Sequence, residues 1–556
     1  MKNKEERLRV VPLGGLDEIG KNMTVIEYGD DMVVIDAGLM FPDDDSPGID
    51  LILPDYSYIL HRQHKLRGIV ITHGHEDHTG ALPYLLKDLG RPVPVLGTKL
   101  TLGLINGKLE EHRLKKVKLR EIQPGGHVTV GPFGFDFIPM NHSIPDGVAV
   151  LIRTPVGNIL HTGDFKLDQT PIDGRVADYS ALTRAGAKGV MLMLSDSTNA
   201  ETPGFTRSEA VVGAALREIF AEAEQRIIVA SFASHIHRMQ QVCDAAVENG
   251  RKVVVTGRSM ITNTRIAREL GYLQIGDDDI VDAYDMNGLA ADEVVVMCTG
   301  SQGEPLSALA RMANRDHKTV SVEEGDTVVI SASPVPGNEK AVNRVINRLS
   351  KAGANVLYKG RGVDVHVSGH AAAEELKLVL NLVKPTYFVP VHGENRHLRA
   401  HVKLAKSVGV AEENIYMLEI GQVLEFDANG VARATERVES GVTYVDGLKV
   451  GDIGEVVLRD RQQLSSDGIA MVVVTIDART GRVVGDPELI MRGVTFDGKE
   501  LADQARARLG KALGKTSREG VTDQSIIRNT MRESLSQLIW ENSRRRPMII
   551  PVVMEV

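Results

Sequence analysis

The apolar positions of this chain come in short runs, each stopped by a polar or glycine-bearing loop. Within the first 200 residues such runs lie at 32–35, 68–72, 135–140 and 158–163, and another comes at 387–391. Runs this short, rich in Val, Ile and Phe, predict buried strands rather than helices. The stretch Ala81-Leu82-Pro83-Tyr84-Leu85-Leu86 has helical periodicity and follows the run at 68–72 after one loop. Together these describe a sheet-rich, layered domain.

The texture changes near Thr206-Arg207-Ser208-Glu209. Thr206 with Glu209 three residues on predicts a capping box opening a helix over 210–224. Strands over 226–232, 252–256, 293–298 and 327–331 then alternate with helices over 235–248, 262–270 and 339–351. That alternation predicts right-handed βαβ units around a mostly parallel sheet. The alternating block sits inside the layered domain, because runs of the first kind resume before His392. From about Gly454 a third texture begins. It has a strand at 470–476, a hairpin turn at 477–481, a strand at 482–484, helices over 500–513 and 523–543, and a last strand over 547–553.

Composition narrows this only slightly. A chain of 556 residues holds three or so domains, and 42% hydrophobic with 25% charged residues describes an ordinary globular protein. Cys243 and Cys298 fall in an expected helix and strand, which excludes a disulfide framework and favours a reducing compartment. The segment from Met1 to Arg7 lacks the apolar stretch of a signal peptide, and no run is long enough to span a bilayer. The expectation is a cytoplasmic protein with no membrane partner. A net charge of −9 gives no whole-chain attraction for nucleic acid. The basic stretch at 112–120 offers local attraction for phosphate, but taken without other motifs it reads as a solvated face, so charge alone does not suggest a nucleic-acid partner.

The chemistry concentrates in His73-Gly74-His75-Glu76-Asp77-His78, between an expected strand and an expected helix. Three imidazoles and two carboxylates in six residues are costly to hold together unless a cation compensates them. In an extended loop His73 and His75 project to one side, which suits one metal, while Asp77 and His78 diverge toward a second. Asp36, His142, Asp164 and His392 each follow an apolar run, as further ligands at strand ends would. Any one of them alone is an ordinary loop residue. Imidazole and carboxylate without thiolate suit Zn²⁺ or Mn²⁺. Gly300-x-x-Gly303 does not fit a dinucleotide fingerprint, and most small polar residues at the inserted strand ends read as ordinary turns.

His73-x-His75-x-Asp77-His78, with Asp36, His142 and Asp164, resembles the signature of metallo-β-lactamase-fold hydrolases. Ser195-Asp196-Ser197-Thr198-Asn199, His366-Val367-Ser368-Gly369-His370 and Val391-His392-Gly393-Glu394 resemble the motifs of β-CASP nucleases. Leu13-Gly14-Gly15-Leu16-Asp17-Glu18-Ile19-Gly20-Lys21-Asn22 and Asp446-Gly447-Leu448-x-Val450-Gly451-Asp452-x-Gly454 resemble ribonuclease J. The likeness runs from near residue 8 to the C-terminus. It implies an α/β fold: a metallo-β-lactamase αββα sandwich at 1–207 and 369–448, an inserted α/β β-CASP domain at 208–368, and a small C-terminal α+β domain at 449–556. That last domain is associated in the family with oligomerisation, which implies a homodimer or homotetramer.

The same resemblance implies two divalent metal ions per subunit, Zn²⁺ or Mn²⁺, with Mg²⁺ as an alternative. His73, His75 and His142 would hold one ion; Asp77, His78 and His392 the other. Asp164 bridges, and Asp36 orients the ligand loop through hydrogen bonds. A water activated by two metals attacks the phosphodiester, with Asp77, Asp164, Asp196 and His370 as the catalytic set. His366 is an alternative to His370 in proton transfer. Ser234, His235, His366, Ser368, Gly369 and His370 are the implied 5′-phosphate pocket. The implied activity is 5′-to-3′ exonuclease and endonuclease cleavage of single-stranded RNA in processing and decay, with a preference for 5′-monophosphate ends. An RNA-degradation complex supplies the implied further partners. Two other readings compete: a small-molecule hydrolase of the same fold, and a non-catalytic RNA-processing subunit. The insertion and the Ser-Gly-His motif count against the first, and the intact ligand set against the second. DNA as substrate stays open.

Overall fold

The computed structural model describes residues 7–42, 46–304, 307–334, 338–447, 449–451, 454–480, 482–494, 498–518 and 523–556. The chain forms two compact units, one of Met1–Phe41 with Leu51–Thr443, the other of Pro42–Asp50 with Tyr444–Val556.

Two sheets face each other in the first unit. One has eight strands in the order Ala432–Arg437, Gln422–Phe426, Leu8–Gly14, Met23–Tyr28, Asp31–Ile35, Leu66–Val70, Pro94–Gly97 and Lys118–Glu121. The other has six, in the order Tyr387–Val391, Leu192–Asp196, Asn158–His161, Val148–Arg153, Phe133–Pro139 and His127–Val130. Alternation along each strand sends one set of side chains inward. Val10, Ile26, Val33 and Ile35 of the first sheet thus share a core with Phe135, Phe137, Val150 and Leu192 of the second. The opposite faces pack helices. Val25, Val34 and Ile69 meet Leu82 and Leu85 of the helix Leu82–Leu89. Leu151, Leu160 and Met193 meet Leu182, Leu376 and Val379 of the helices Tyr179–Lys188 and Ala373–Val383. The layers are therefore helix, sheet, sheet, helix.

Strand direction then places the loops. Asp31–Ile35 and Leu66–Val70 run parallel, as do Asn158–His161, Leu192–Asp196 and Tyr387–Val391. Parallel strands end on the same side, so the loops that leave each set converge on one edge.

The inserted sheet is parallel throughout, in the order Ile280–Val281, Lys252–Thr256, Val294–Cys298, Ile227–Ala230, Thr327–Ile330 and Asn355–Tyr358. Its two faces feed separate cores. Val229, Val253 and Val295 pack on one side, and Ile228, Val254, Val296 and Val328 on the other. Tyr387–Val391 then returns to pair with Leu192–Asp196, closing the sandwich after the insertion. The sequence expectations omit the strand Asn355–Tyr358 and the helix Ala373–Val383, although Leu376, Val379, Leu380 and Val383 of that helix keep a helical period.

The expected capping box is absent. Glu209 is the N-cap of the helix Ala210–Glu222 but makes no side-chain cap. Its carboxylate pairs with the buried Arg238 guanidinium, and Thr206 Oγ1 donates to the carbonyl of His370 at 2.6 Å. A cap is worth about 1 kcal/mol, whereas leaving a buried Arg unpaired costs about 3–5 kcal/mol. The ion pair wins.

The second unit has its own core, built from Val472 and Val474 on the strand Ile469–Ile476 with Leu509, Leu513, Met531 and Leu535 from two helices. Those helices are Gly498–Arg518 and Gln524–Ser543. Ile469–Ile476 lies between Glu488–Arg492, antiparallel, and Met548–Glu555, parallel. The expected strand at 482–484 shrinks to a single bridge between Val483 and Ile476. Gly485 is left-handed and Pro487 has no N–H to give, so the ladder restarts only at Glu488. The turn residue Gly481, motif positions Leu448 and Asp452, and the segment 1–6 lie outside the described residues. Among the described residues no helix is long and apolar enough to cross a membrane.

Candidate metal centre

The histidine-rich turn is held by backbone from two neighbouring loops. Ala37 N donates to His78 O at 2.8 Å, Leu39 N to Glu76 O at 3.1 Å, and Asn22 N to Asp77 O at 3.0 Å. Gly38 sits at the crossing. A Cβ there would stand 1.6 Å from Asp77 O, so no other residue lets the segments meet. Asp36 and His392, each directly after a strand, adopt left-handed backbone at φ 61° and 54°. Outliers of this kind persist only where surrounding structure holds them, and they gather at functional sites.

Two overlapping donor groups result. His73, His75, His142 and Asp164 form one; Asp77, His78, Asp164 and His392 form the other, with the ligand atoms of each group within 4.8 Å of one another. Asp164 belongs to both. A third overlapping group adds Asp196 and His370 to Asp164 and His392.

Hydrogen bonds decide which ring nitrogens stay open. His142 Nδ1 donates to Gly369 O at 2.8 Å, leaving Nε2 free. Thr72 Oγ1 gives its proton to Asp36 at 2.9 Å and takes one from His73 Nδ1 at 3.0 Å, so His73 also presents Nε2. His78 Nδ1 donates to Asp36 Oδ2 at 2.8 Å, again leaving Nε2. His75 turns its Nε2 to Ser143 Oγ at 3.4 Å, and its Nδ1 meets both His73 Nε2 and His142 Nε2 at 3.1 Å. Lone pairs crowded in this way repel unless a cation lies among them. His78 Nε2 and His392 Nε2 each lie 3.1 Å from Asp164 Oδ2, while His392 Nδ1 is buried without a partner.

The electrostatics agree. Burial pushes His73 and His75 well below the usual imidazole range, and His142 down to about 3. These three are neutral, which is the ligating form. His78 and His392 move the other way: burial opposes their charge, but Asp164 and Asp77 outweigh it. Asp164 is held well below the usual carboxylate range despite burial, because His392 and His78 face it. The carboxylates thus draw positive charge into the site, and a divalent cation meets that demand by displacing protons. Nitrogen and oxygen donors without sulfur suit Zn²⁺ or Mn²⁺. The residues fit a divalent metal centre.

Of the remaining candidates, Asp196 and His370 lie beside it. Asp196 Oδ2 receives His370 Nδ1 at 2.8 Å, and the His370 ring stands 5.0 Å from His142 and 5.5 Å from His392. Burial opposes the His370 charge, but contact with Asp196 raises its pKa to about 9. The carbonyl of His370 is pinned by Thr206 and by Asn199 Nδ2 at 3.1 Å. Ser368 Oγ accepts from His370 N at 3.2 Å. His366 is half-buried with its buried Nδ1 unpartnered, and desolvation takes its pKa down to about 3. His235 is engaged elsewhere. Its Nδ1 caps the helix Ile236–Glu248 through Arg238 N at 3.3 Å, and its Nε2 lies 2.8 Å from Glu209, out of line for a hydrogen bond. Ser234 precedes that helix and is half-buried. In the basic stretch, Arg113, Lys115, Lys116, Lys118 and Arg120 are exposed, as a solvated face requires.

Gly369 illustrates how tight the assembly is. A Cβ on it would stand 2.8 Å from His142 Cε1. Gly369→Ala is therefore expected to displace His142 and to lower metal affinity by about 10–100-fold, the scale seen when a ligand's support is lost. Metal titration of parent and variant checks this; equal affinities would contradict it.

Sequence reasoning assigned no role to Asn22 or Thr72. Asn22 Nδ2 lies 3.1 Å from both His78 Nε2 and Asp77 O, and Thr72 carries the relay from His73 to Asp36. The one available signal was position: Asn22 ends the glycine-rich opening motif, and Thr72 immediately precedes the first ligand.

Four family models match the chain: the metallo-beta-lactamase superfamily at 16–199, the ribonuclease J beta-CASP domain at 224–349, a Zn-dependent metallo-hydrolase RNA specificity domain at 359–418, and the ribonuclease J C-terminal domain at 456–556. Ribonuclease J2 of Bacillus subtilis is 42% identical over 558 residues, covering 100% of both chains. Ribonuclease J of Thermus thermophilus is 45% identical and covers 99% of this chain and 96% of its own. Ribonuclease J of Mycolicibacterium smegmatis is 45% identical, with 99% and 97% covered. A crystal structure of a protein of unknown function from Enterococcus faecalis V583 superposes with TM-score 0.52 at 16% identity, over 76% of this chain and 100% of that one. That likeness concerns the fold alone.

Proposed function

The chain belongs to the ribonuclease J family and is a metal-dependent ribonuclease, and we propose that it degrades single-stranded RNA 5′-to-3′ from monophosphate ends, with internal cleavage as a second activity. The observation that carries this is the convergence of two donor groups on Asp164 beside the Asp196–His370 pair. Each group would hold one divalent cation, Zn²⁺ or Mn²⁺, with Asp164 shared. Divalent cations bound there supply an acidified water and positive charge beside the phosphate.

The protein's own groups do the rest. Asp36 and Thr72 fix the rings of His78 and His73, so the ligand nitrogens need no reorganisation when substrate arrives. Against the effect of burial, Asp196 raises the pKa of His370 to about 9, so the ring is an imidazolium at neutral pH: Nδ1 donates to Asp196 and Nε2 carries the proton that goes to the departing oxygen. Ser368, Gly369 and His370 come after the inserted sheet and lie against His142, where a terminal phosphate can be measured off against the metals. A 5′-monophosphate satisfies such a pocket. A triphosphate overfills it, and a hydroxyl leaves buried donors unpaired at about 1–3 kcal/mol each.

Decay of 5′-monophosphate RNA is accordingly expected to be faster than that of triphosphate or hydroxyl RNA, with product length followed on labelled substrates. Equal rates on all three ends would sink the pocket while leaving the metal site intact. Matched DNA in the same assay tests whether RNA is required.

The C-terminal unit is proposed to drive self-association as a dimer or tetramer. One face of its sheet covers helices, but Met471, Ile490, Ile550 and Val552 lie on the other face and are only partly buried or exposed. Truncation near Gly454 is expected to leave the donor groups in place and weaken association. Sedimentation showing the intact chain to be a monomer at micromolar concentration would contradict it. Both cysteines are free and buried, which supports a cytoplasmic location.

A further inference from the structure

We propose that Arg238, which touches neither metal ligands nor any group placed in the chemistry, is the positioning residue for RNA ends. It ties the segment 365–370 to the start of the helix Ile236–Glu248 and so fixes the distance from end pocket to metal centre. The inference rests on the 5′-phosphate pocket proposed above.

Arg238 is among the largest fully buried side chains, at 0% exposure. Each of its three guanidinium nitrogens has an acceptor. Nε donates to Gln241 Oε1 at 3.1 Å, Nη1 to Val365 O at 2.9 Å and Ser331 O at 3.3 Å, and Nη2 to Glu209. Ser331 Oγ donates to the same Val365 carbonyl at 2.7 Å. Arg238 N–H also reaches His235 Nδ1, so one residue holds both halves of the pocket: Ser234–His235 at the helix start, and the segment beginning at Val365.

That segment is pinned at intervals down to the site. Arg238 and Ser331 hold the Val365 carbonyl, His142 holds that of Gly369, and Thr206 and Asn199 hold that of His370. His366, with its unpartnered buried Nδ1, lies between these anchors. On its other side Arg238 continues through Glu209 to the Lys166 ammonium, 3.8 Å from that carboxylate, and the Lys166 backbone N–H donates to Asn141 O beside His142. The anchor and the ligands are thus one connected frame.

A buried ion pair is weak evidence for stability, since apolar replacements of equal volume do as well or better. What an apolar residue cannot do is hold a carbonyl and a carboxylate at fixed angles. The planar guanidinium fork does this, and the flexible ammonium of Lys does not.

The test uses the full chain with Ser331→Ala, Arg238→Lys, and the charge-neutral double variant Arg238→Met with Glu209→Gln. KM and kcat are measured on 5′-monophosphate and 5′-hydroxyl single-stranded RNA, with metal content and hydrolysis of bis(p-nitrophenyl) phosphate as readouts of the centre itself. The expected result is a rise in KM for monophosphate RNA of about tenfold in the double variant, the scale of one misplaced charged hydrogen bond. Arg238→Lys and Ser331→Ala should give smaller rises, while hydroxyl RNA, metal content and the small diester change less than twofold. If the double variant does not fold, Ser331→Ala decides. A parent that prefers monophosphate ends, with variants keeping the same KM ratio, would overturn the inference. So would an equal loss on both RNAs and the small diester, which marks a purely structural role. A parent without any end preference would overturn the pocket, and the inference with it.

Discussion

Asp164→Ala is expected to abolish RNA cleavage, with a loss on the order of 10³-fold or more, because it removes charge stabilisation and ligation together. Asp164 is the one residue common to all three donor groups, and its carboxylate faces His78 and His392 at 3.1 Å each. Without it those imidazoles lose the partner that now holds their positive charge, and each donor group loses an oxygen. His75→Ala should be nearly as damaging, since its Nδ1 is the nitrogen on which His73 and His142 converge. Neither change should unfold the chain, because the site lies at the strand ends and outside the cores of the sandwich. Cleavage assays with metal analysis and circular dichroism check this. Activity within a few-fold of the parent at confirmed low metal content would refute the metal-dependent mechanism.

Glu209→Ala is expected to destabilise the protein by about 3–5 kcal/mol, the cost of stranding a buried charge. Arg238 has no solvent to turn to, and Lys166 would lose its longer-range partner as well. Burial opposes the Glu209 charge, but Arg238, His235 and Lys166 outweigh it and hold the carboxyl well below its ordinary 4.5. A carboxylate with a depressed folded pKa contributes stability that is fully present above the unfolded value. That contribution is lost as pH falls below about 4.5 toward the folded pKa. Parent and variant should therefore melt apart at pH 7 and converge only as pH falls below about 4.5. A variant that melts with the parent at pH 7 would contradict the expectation, while the double change Arg238→Met with Glu209→Gln should sit much closer to the parent.

Much of the site was legible because ligands placed after strands leave a local trace. A run such as Tyr387–Val391 is visible as a strand, and His392 directly after it inherits a position from parallel pairing with Leu192–Asp196. The inserted sheet was legible for a similar reason: apolar strands alternating with amphipathic helices admit few arrangements. The capping box at Thr206 and Glu209 misled, because its sequence signal is the same whether Glu turns to the backbone or to an Arg. The hairpin strand at 482–484 misled because a turn signal does not say how soon the ladder resumes. Arg238 was not legible at all. Its partners Ser331 and Val365 lie 93 and 127 residues away, and a lone Arg in a helix reads as a solvated face.

The most direct test is cleavage of 5′-labelled single-stranded RNA by protein stripped of divalent metal with a chelator and then titrated with Mn²⁺ or Zn²⁺. The expected result is no cleavage by the stripped protein and recovery that saturates near two ions per chain. Recovery should be absent in Asp164→Ala. Parent-rate cleavage by protein shown to hold no divalent metal would contradict it.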